Sequence, residues 1–290
     1  MNKHKPVLLQ EVIEGLNLKV GDIIFDGTLG GGGYSREILK KIGPTGKLIA
    51  TDLDLWALNN FKEEAKLFNR NYSEIKNILK EEGIEEIDGI VLDLGISSNQ
   101  LEDSKRGISF QNLDAKLDMN LSDNSKGKLT AAEILNTWSE ESLADIIFYY
   151  GGEQAARKIS KAIIERRSKH KFEKVSDLVE LLEKEIGKFY KNKKINFATK
   201  TFQALRITVN DELGNLRKVL DDGIEVLRRG GRLAVVTFHS LEDRIVKQKF
   251  KEFERKELGK RINKKVIKPS RDELLDNPRS RSAKLRIFKK

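Results

Sequence analysis

Residues 26–35 read DGTLGGGGYS, with four consecutive glycines shortly after a short apolar run that ends in Asp26. The run 22–26 (DIIFD) predicts a buried strand, and Ser35–Lys41 has the spacing of a helix that begins where the glycines end. Glycine tolerates positive φ and lets the backbone approach a ligand closely. Open α/β sheets bind nucleotide-like ligands at this junction, so we interpret the turn as a binding site rather than as a merely flexible loop.

Strand and helix signals alternate on both sides of this turn. Further buried strands are predicted at 47–51, 90–94, 232–238 and 283–288. Helices are predicted at 53–66, at 211–228 before Gly230-Gly231, and at 245–256. This alternation predicts an α/β fold whose parallel sheet carries helices on both faces, with the loops after its strands along one edge.

The alternation is interrupted in the middle of the chain. From about residue 103 to 200 the strand signals disappear, and helices are predicted at 129–137, 140–149, 153–167 and 175–182. The simplest prediction is one discontinuous α/β domain, 1–103 with 203–290, and an inserted all-helical domain, 104–202. Two sequential domains are the alternative, but they would leave the strand at 232–238 without a sheet.

The spacing of the glycines excludes two phosphate-binding motifs. A nicotinamide-binding turn needs glycines at its first, third and sixth positions, and counted from Gly30 the sixth position is Ser35. A phosphate-binding P-loop ends in Gly-Lys-Ser/Thr, and no lysine follows these glycines. The acidic residue at the start of the turn suits a ligand that carries an amino group or a positive sulfonium.

Acidic residues follow two other predicted strands. Asp52 comes directly after the strand 47–51, where a carboxylate accepts hydrogen bonds from both ribose hydroxyls. Asp54 is as well explained as a helix N-cap. Asp93 begins the segment 93–100 (DLGISSNQ), which collects a carboxylate, hydroxyls and amides. Together these features predict a Rossmann-like class I methyltransferase sheet that binds S-adenosylmethionine, which supplies the reactive group while the protein aligns it.

The composition restricts the other possibilities. The 290 residues contain no cysteine and three histidines, which excludes disulfides, thiolate metal sites and thiol catalysis, and we expect no metal site. The sequence shows no membrane span and no signal peptide, so we expect a cytoplasmic protein. Residues 231–290 carry 19 Lys/Arg against 8 Asp/Glu, and 151–200 carry 14 against 7. Two basic regions on an acidic body suit a polyanionic partner, although solvated lysines explain the composition alone equally well.

Eight segments resemble one known family in the same order along nearly the whole chain. They are HKPVLLQEV, DGTLGGGGYS, LDLGISSNQL, RGISF, LDMNL, TFQALRITVNDEL, GGRLAVVTFHSLEDRIVK and NPRSRSAKLR. The chain therefore resembles the RsmH (MraW) family of bacterial S-adenosylmethionine-dependent methyltransferases. The resemblance implies methylation of the N4 amino group of a cytidine in the decoding region of small-subunit (16S) ribosomal RNA.

The resemblance also implies which residues bind the cofactor. Its cofactor contacts fall on positions in the glycine turn and after the strands: Gly32, Gly33, Tyr34, Asp52, Tyr72, Asp93 and Gln100. Tyr72 and Gln100 are implied by the resemblance alone. The family usually has His at the position of Tyr34, which leaves a backbone contact there but not necessarily a side-chain role. Lys116–Leu121 (KLDMNL) also lacks the proline and arginine of the family's segment.

The proton acceptor is not defined by the sequence. Many amino-methyltransferases carry an Asn/Asp/Ser-Pro-Pro-aromatic motif after the fourth strand, and this chain has none. The catalytic candidates are Ser97 and Ser98 in the loop after Asp93, and His239 after the strand 232–238, as an orienting group or a proton acceptor. Phe238 is a candidate to stack on the target base, although a core position explains it better.

Ribosomal RNA, free or within the 30S particle, is the expected partner, and a homodimer is possible. Basic residues of the insertion are expected to follow RNA phosphates: Arg157, Lys158, Lys161, Arg166, Arg167, Lys169 and Lys171. A non-catalytic nucleic-acid-binding protein that kept the fold is the main alternative, and measured methyl transfer distinguishes the two. An NAD-dependent oxidoreductase is disfavoured by the glycine spacing.

Overall fold

The structure is a computed structural model that describes residues 6–96, 104–123 and 127–290. Its backbone contacts divide the chain into two compact units. The first comprises the described residues of Met1–Ser97 together with Leu213–Lys290, and the second those of Ser98–Glu212. The predicted end of the insertion, residue 202, lies inside the helix Thr199–Val209 of the second unit, and this unit continues to Glu212.

A mixed sheet forms the centre of the first unit. Within the described ranges its seven strands lie in the order β3-β2-β1-β4-β5-β7-β6. All neighbouring pairs from β3 to β5 are parallel, and β7 runs antiparallel to β5 and β6. The strands are β1 (Ile23–Asp26), β2 (Lys47–Thr51), β3 (Lys66–Phe68), β4 (Ile87–Asp93), β5 (Leu227–Thr237), β6 (Lys260–Arg261) and β7 (Lys284–Lys289). The predicted Rossmann-like α/β fold is confirmed.

The helices are numbered in chain order over the same ranges. They are α1 (Leu9–Leu16), α2 (Gly33–Ile42), α3 (Leu55–Asn60), α4 (Ile75–Glu81), α5 (Ala131–Thr137), α6 (Glu140–Tyr149), α7 (Ala156–Arg167), α8 (Val175–Tyr190), α9 (Thr199–Val209), α10 (Glu212–Val226), α11 (Ser240–Arg255) and α12 (Arg271–Asp276). None of these helices has the length and apolar character needed to cross a bilayer.

The inner strands are apolar because protein covers both of their faces. Ile24 and Phe25 of β1 and Ile90 and Val91 of β4 are fully buried. A strand buried on both faces carries a continuous apolar run rather than an alternating one. This is why the short apolar runs in the sequence identified the strands correctly.

Several predicted helices are wrong at their ends. The helix predicted at 175–182 continues to Tyr190, and the helix predicted at 245–256 begins at Ser240. The helix predicted at 53–66 ends at Asn60, and Lys66 already begins β3. The helix predicted at 211–228 ends at Val226, and Gly230-Gly231 lie within β5 instead of stopping a helix. A bulge between β4 and β5 accommodates these glycines, because Ile87 pairs with Leu227 and Gly89 pairs with Arg232.

The second unit is built from helices around its own apolar core. Leu135, Ile147, Ile159, Leu178 and Leu205 come from five different helices, and all are fully buried in this cluster. Helix α5 begins at the N-cap Thr130, whose side chain accepts a hydrogen bond from the Glu133 amide.

Candidate active site

The loops that carry the predicted binding residues meet at one edge of the sheet. Strand order reverses between β1 and β4, since the chain passes outward through β2 and β3 on one side and through β5 on the other. Ligands of open α/β sheets bind outside the carboxyl ends of the strands at such a switch point. The glycine turn follows β1 and Asp93 ends β4, so both lie at this point. The Asp93 amide donates to Thr28 Oγ1 at 2.7 Å and joins the two loops.

Asp26 holds the glycine turn together from within. Its Oδ1 accepts from the Thr28 amide at 3.0 Å, and its Oδ2 accepts from the Ser35 hydroxyl at 2.6 Å. The side chain is fully buried, and burial raises the pKa of Asp26 to about 6 although these hydrogen bonds lower it. Because both oxygens have partners in the turn, Asp26 fixes the turn's shape.

Two glycines of the turn are required by its geometry. Gly32 has φ +71° and precedes α2, which begins without a side-chain cap. A Cβ at Gly33 would overlap the ring of Pro6. The turn therefore presents backbone at the start of α2, where the uncapped amides favour a carboxylate or another anion.

Asp52 lies beside the same turn. Its Oδ2 accepts from the Gly30 amide at 2.7 Å, and its Oδ1 accepts from the Asp54 amide at 2.9 Å. Burial raises the pKa of Asp52 to about 6, although the hydrogen bonds from the two amides lower it. Asp54 is the N-cap of α3 and accepts from the Trp56 amide at 2.9 Å, so its capping interpretation is confirmed. A carboxylate oxygen accepts two hydrogen bonds, which leaves Asp52 capacity for hydroxyl donors.

Asp93 is the acid at the switch point itself. Its Oδ1 is buried and, among the described residues, lacks a hydrogen-bond partner. Burial raises the pKa of Asp93 well above its usual range, and the carboxylates of Asp26 and Glu242 raise it further. Leaving a buried oxygen without a hydrogen bond costs free energy, so this atom is suited to accept a hydrogen bond from a ligand.

Tyr34 points into the protein. Its side chain is 4% exposed, and its hydroxyl donates to the carbonyl of Val7. Burial raises the pKa of Tyr34 beyond its usual range, with Asp93 as the next contributor. Close to this contact, the Leu8 amide donates to Glu273 Oε1 at 2.7 Å. The ring of Tyr34 thus fastens the segment before α1, and its backbone remains available at the turn.

The other predicted residues are placed as follows. Tyr72 begins a short 3₁₀ turn after β3, and its β-carbon lies next to Gly27 at the start of the glycine turn. Ser97, Ser98 and Gln100 lie outside the described residues. Phe238 lies directly after β5 and is partly buried, and it packs against the first unit's core.

His239 is the N-cap of α11. Its Nδ1 accepts from the Glu242 amide at 3.4 Å, and its Nε2 lies 3.1 Å from Glu242 Oε1. Glu242 in turn accepts from the amides of Phe238 and His239 at 2.9 and 3.2 Å. Sequence reasoning missed Glu242, although the pattern HSLE, with an acid three residues after the cap, carries the signal of a capping box.

Known proteins resemble this chain over its whole length. The family model described as the MraW methylase family matches residues 1–290. This chain belongs to the MraW methylase family. A ribosomal RNA small subunit methyltransferase H from Dictyoglomus thermophilum is 46% identical and is matched over 98% of this chain and 95% of its own. The protein of that name from Clostridium botulinum strain Kyoto is 44% identical, with 99% of both chains covered.

One similar solved structure is the fibrillarin of Aeropyrum pernix, which was crystallised with natively bound S-adenosyl-L-methionine. It is 8% identical, with a TM-score of 0.43, over 97% of this chain and 73% of that one.

As a MraW methylase, the chain is an S-adenosylmethionine-dependent methyltransferase. The residues at the sheet edge fit this cofactor. The sulfonium and ammonium groups of the cofactor are cationic, and Asp93 offers a buried oxygen without a partner among the described residues. Asp52 has acceptor capacity for hydroxyls, and the uncapped start of α2 suits a carboxylate.

Proposed function

We propose that this methyltransferase modifies small-subunit ribosomal RNA, and that its acceptor is the N4 amino group of a cytidine in the decoding region. The observation that carries the proposal is the family match along residues 1–290, together with relatives named for the small ribosomal subunit. The resemblance of the sequence motifs supports the cytidine N4 acceptor. The site supports methyl transfer from S-adenosylmethionine, because the carboxylate oxygens of Asp52 and Asp93 lie around the glycine turn.

When bound, S-adenosylmethionine supplies a methyl group on a positively charged sulfur. The proposed cofactor-binding residues are Gly32, Gly33, Tyr34, Asp52, Tyr72, Asp93 and Gln100. Among them, Tyr34 contributes its backbone, since its hydroxyl is bonded to Val7. Asp52 holds the glycine turn through the Gly30 amide and keeps acceptor capacity for the ribose. Asp93 provides an oxygen at the switch point that has no hydrogen-bond partner in the described part of the chain.

The exocyclic amine of cytosine is a poor nucleophile, because its lone pair is delocalised into the ring. A hydrogen-bond acceptor on the amino hydrogens helps to localise that pair and then receives a proton. We assign the acceptor role to Ser97 or Ser98, and the orienting role to His239. Nδ1 of His239 accepts from the Glu242 amide and holds the ring in place, whereas Nε2 is buried near Glu242 Oε1 and makes no hydrogen bond to the described residues.

The basic residues of the helical unit support an RNA partner, but three of the seven have partners within the unit itself. Arg166 pairs with Asp177 at 2.6 Å, and Arg167 donates to the carbonyls of Leu135 and Trp138 at 3.1 and 2.6 Å. Lys158 donates to the Glu185 carbonyl at 2.5 Å and remains exposed, as do the other four, Arg157, Lys161, Lys169 and Lys171. We propose that these five contact the RNA backbone, since phosphate contacts supply most non-specific affinity.

The remaining parts of the proposal concern the setting of the reaction. We propose a cytoplasmic location and an RNA target that is unpaired and turned out of its helix, since the amine must reach the sheet edge. The assembled 30S particle and free ribosomal RNA are the two candidate substrates. Homodimer formation stays a prediction.

Methyl groups mapped by mass spectrometry on ribosomal RNA, from cells with and without this protein, test the proposal. We expect one cytidine of the decoding region to lose its N4 methyl group in the deletion strain. Purified protein with labelled cofactor should restore it on particles or on free RNA, which identifies the substrate form. RNA binding without any methyl transfer would favour the non-catalytic alternative.

A further inference from the structure

We propose that Phe189 and the lysines around it bind a single-stranded segment of the RNA, with an unpaired base stacked on the Phe189 ring. This inference rests on the RNA substrate of the proposed function and assigns it a contact surface. Phe189 lies in the last turn of α8 and is 62% exposed. Because burial of an aromatic ring is favourable, a ring that is this exposed is available for a ligand.

The ring is not part of the core of the helical unit. Leu178, Leu182, Ile186 and Tyr190 form the inward face of α8, and all four are buried in the unit's apolar cluster. Phe189 lies in the last turn of α8, and among the described residues it does not belong to this cluster. Its ring can therefore serve binding without weakening the fold.

A fixed cation stands beside this ring. Lys158 Nζ lies 5.6 Å from the centre of the Phe189 ring. It donates to the Glu185 carbonyl at 2.5 Å and lies 3.2 Å from Glu185 Oε2. The Lys158 side chain nevertheless stays 51% exposed, so its charge is held in place and still faces solvent. An aromatic face beside a cation is the arrangement that single-stranded nucleic acid binders use for a base and its phosphate.

The chain segment that carries this ring is mostly positive in charge. Between residues 184 and 194 the sequence KEIGKFYKNKK holds five lysines and one acid, Glu185, which is paired with Lys158. All five of these lysines are exposed: Lys184, Lys188, Lys191, Lys193 and Lys194. Lys193 is further positioned over the Tyr190 ring, 4.3 Å from its centre. This surface, which we call the Phe189 platform, is complementary in charge to a phosphate backbone.

A second exposed aromatic residue in the same unit lies on an acidic helix. Tyr149 at the end of α6 is 64% exposed and packs edge-on against Phe148. Helix α6 carries Glu140, Glu141 and Asp145 and no basic residue. Exposure alone therefore does not distinguish the two rings, but only Phe189 has the charge that an RNA requires. Tyr149 provides a matched control.

The size of the exposed ring also favours a base over a protein partner. One ring offers on the order of 100 Å² of apolar surface, whereas a stable protein interface needs about 800 Å² from each partner. A single base covers one ring, and such stacking is tolerant of base identity because every base has a π-face.

The test uses the full chain and a fluorescently labelled single-stranded RNA of about twelve nucleotides, with binding followed by anisotropy. We expect Phe189→Ala to bind about tenfold more weakly, Phe189→Tyr to bind as the wild type does, and Phe189→Leu to behave as the alanine variant. Tyr149→Ala should leave the affinity unchanged. The double change Lys188→Gln with Lys191→Gln should lower the slope of log affinity against log salt by about 1.4, whereas Phe189→Ala should leave it unchanged.

A direct contact is checked by photo-cross-linking. RNA that contains 5-iodouridine should cross-link to the peptide with Phe189, as identified by mass spectrometry. Circular dichroism and thermal unfolding of each variant show that the fold is kept. Equal affinity of Phe189→Ala and wild-type protein, or a cross-link elsewhere only, would overturn the proposal.

Two further outcomes would overturn, respectively, the assignment of Phe189 to RNA binding and the proposed function. A lower molecular mass of Phe189→Ala in sedimentation, compared with wild-type protein, would mean that the ring joins two copies of the chain instead of binding RNA. Wild-type protein that transfers no methyl group to small-subunit RNA would refute the proposed function. If transfer is present while the Phe189 variants bind normally, only the Phe189 platform is wrong.

Discussion

The Oδ2 atom of Asp52 accepts a hydrogen bond from the Gly30 amide at 2.7 Å, so the acid after β2 holds the glycine turn after β1. The same carboxylate accepts from the Asp54 amide through its other oxygen at 2.9 Å. One side chain thus sets the position of the turn and keeps acceptor capacity for a ligand. The shape of the site and its affinity for the cofactor are coupled through this residue.

Asp52→Asn should weaken binding of S-adenosylhomocysteine by about 10- to 100-fold, because hydrogen bonds to a charged group contribute about 1.5–3 kcal/mol. Isothermal titration calorimetry measures the change. Asp54→Asn is the matched control, since Asn caps a helix as well as Asp does and α3 should keep its start. Wild-type affinity in Asp52→Asn would show that this carboxylate does not bind the ligand.

Binding of the same ligand should release protons near pH 6. The pKa of Asp52 is about 6 in the free protein, and hydrogen bonds from a ligand's hydroxyls favour the charged form and lower this pKa. Affinity should therefore rise as the pH rises through about 6 and then level off. Calorimetry in buffers of different ionisation enthalpy should show release of up to about half a proton from Asp52 at pH 6 and little at pH 8.

Asp52→Asn should flatten this profile, because the variant lacks the titrating group. An affinity that is equal at pH 6 and pH 8 in the wild-type protein would contradict the assignment. If Asp52→Asn releases as many protons on ligand binding as the wild-type protein does, another acidic residue at this edge of the sheet is the titrating group.

The segment before α1 should loosen when Glu273 is removed. Leu8 has φ 55° and ψ 35°, a left-handed conformation that costs a non-glycine residue about 1–2 kcal/mol. Its amide is held by Glu273, and the neighbouring Val7 carbonyl by Tyr34. Glu273→Ala should therefore speed amide hydrogen exchange over the first turn of α1 by about tenfold, as measured by mass spectrometry.

Asp272→Ala removes an exposed acid from the same first turn of α12 and serves as the control. Exchange at α1 should not change in this variant. If both variants accelerate exchange equally, the stability of α12 explains the effect, and the contact between Glu273 and Leu8 does not.

His239→Asn separates capping from an orienting role. Asn is a strong N-cap, so α11 and the melting temperature should be kept. The variant loses the second contact with Glu242, that of Nε2 with Oε1 at 3.1 Å. We expect kcat to fall about tenfold with KM unchanged, since small misplacements at a reacting site are costly. Wild-type kcat in this variant would make His239 a helix cap and nothing more.

The sequence allowed prediction of the parts that depend on local patterns. The inner strands were recognisable because both of their faces are buried, and Asp52 and Asp93 were recognisable because they directly follow such strands. Strand β3 was missed because it is a three-residue edge strand with an exposed lysine at its start. An edge strand is short and half-covered, so its residues lack the continuous apolar run.

Contacts between distant residues left no signal in the sequence. The bond between Leu8 and Glu273 joins residues 265 positions apart. The internal roles of Arg166 and Arg167 were also unpredictable. A basic residue occupies the same sequence positions on an amphipathic helix whether it pairs with an acid, as Arg166 does with Asp177, or faces water. Charge counts therefore did not show which basic residues have partners inside the helical unit.

The parallel pairing of β4 with β5 has a consequence for how the protein is made. Asp93 pairs with Val236, and the whole helical unit is synthesised between them. The edge of β4 that pairs with β5 stays open until β5 has been synthesised. The contacts of the helices are local, so the helical unit can fold before that. We therefore expect the helical unit to fold before the sheet is complete, since β5 is needed to cover the open edge of β4.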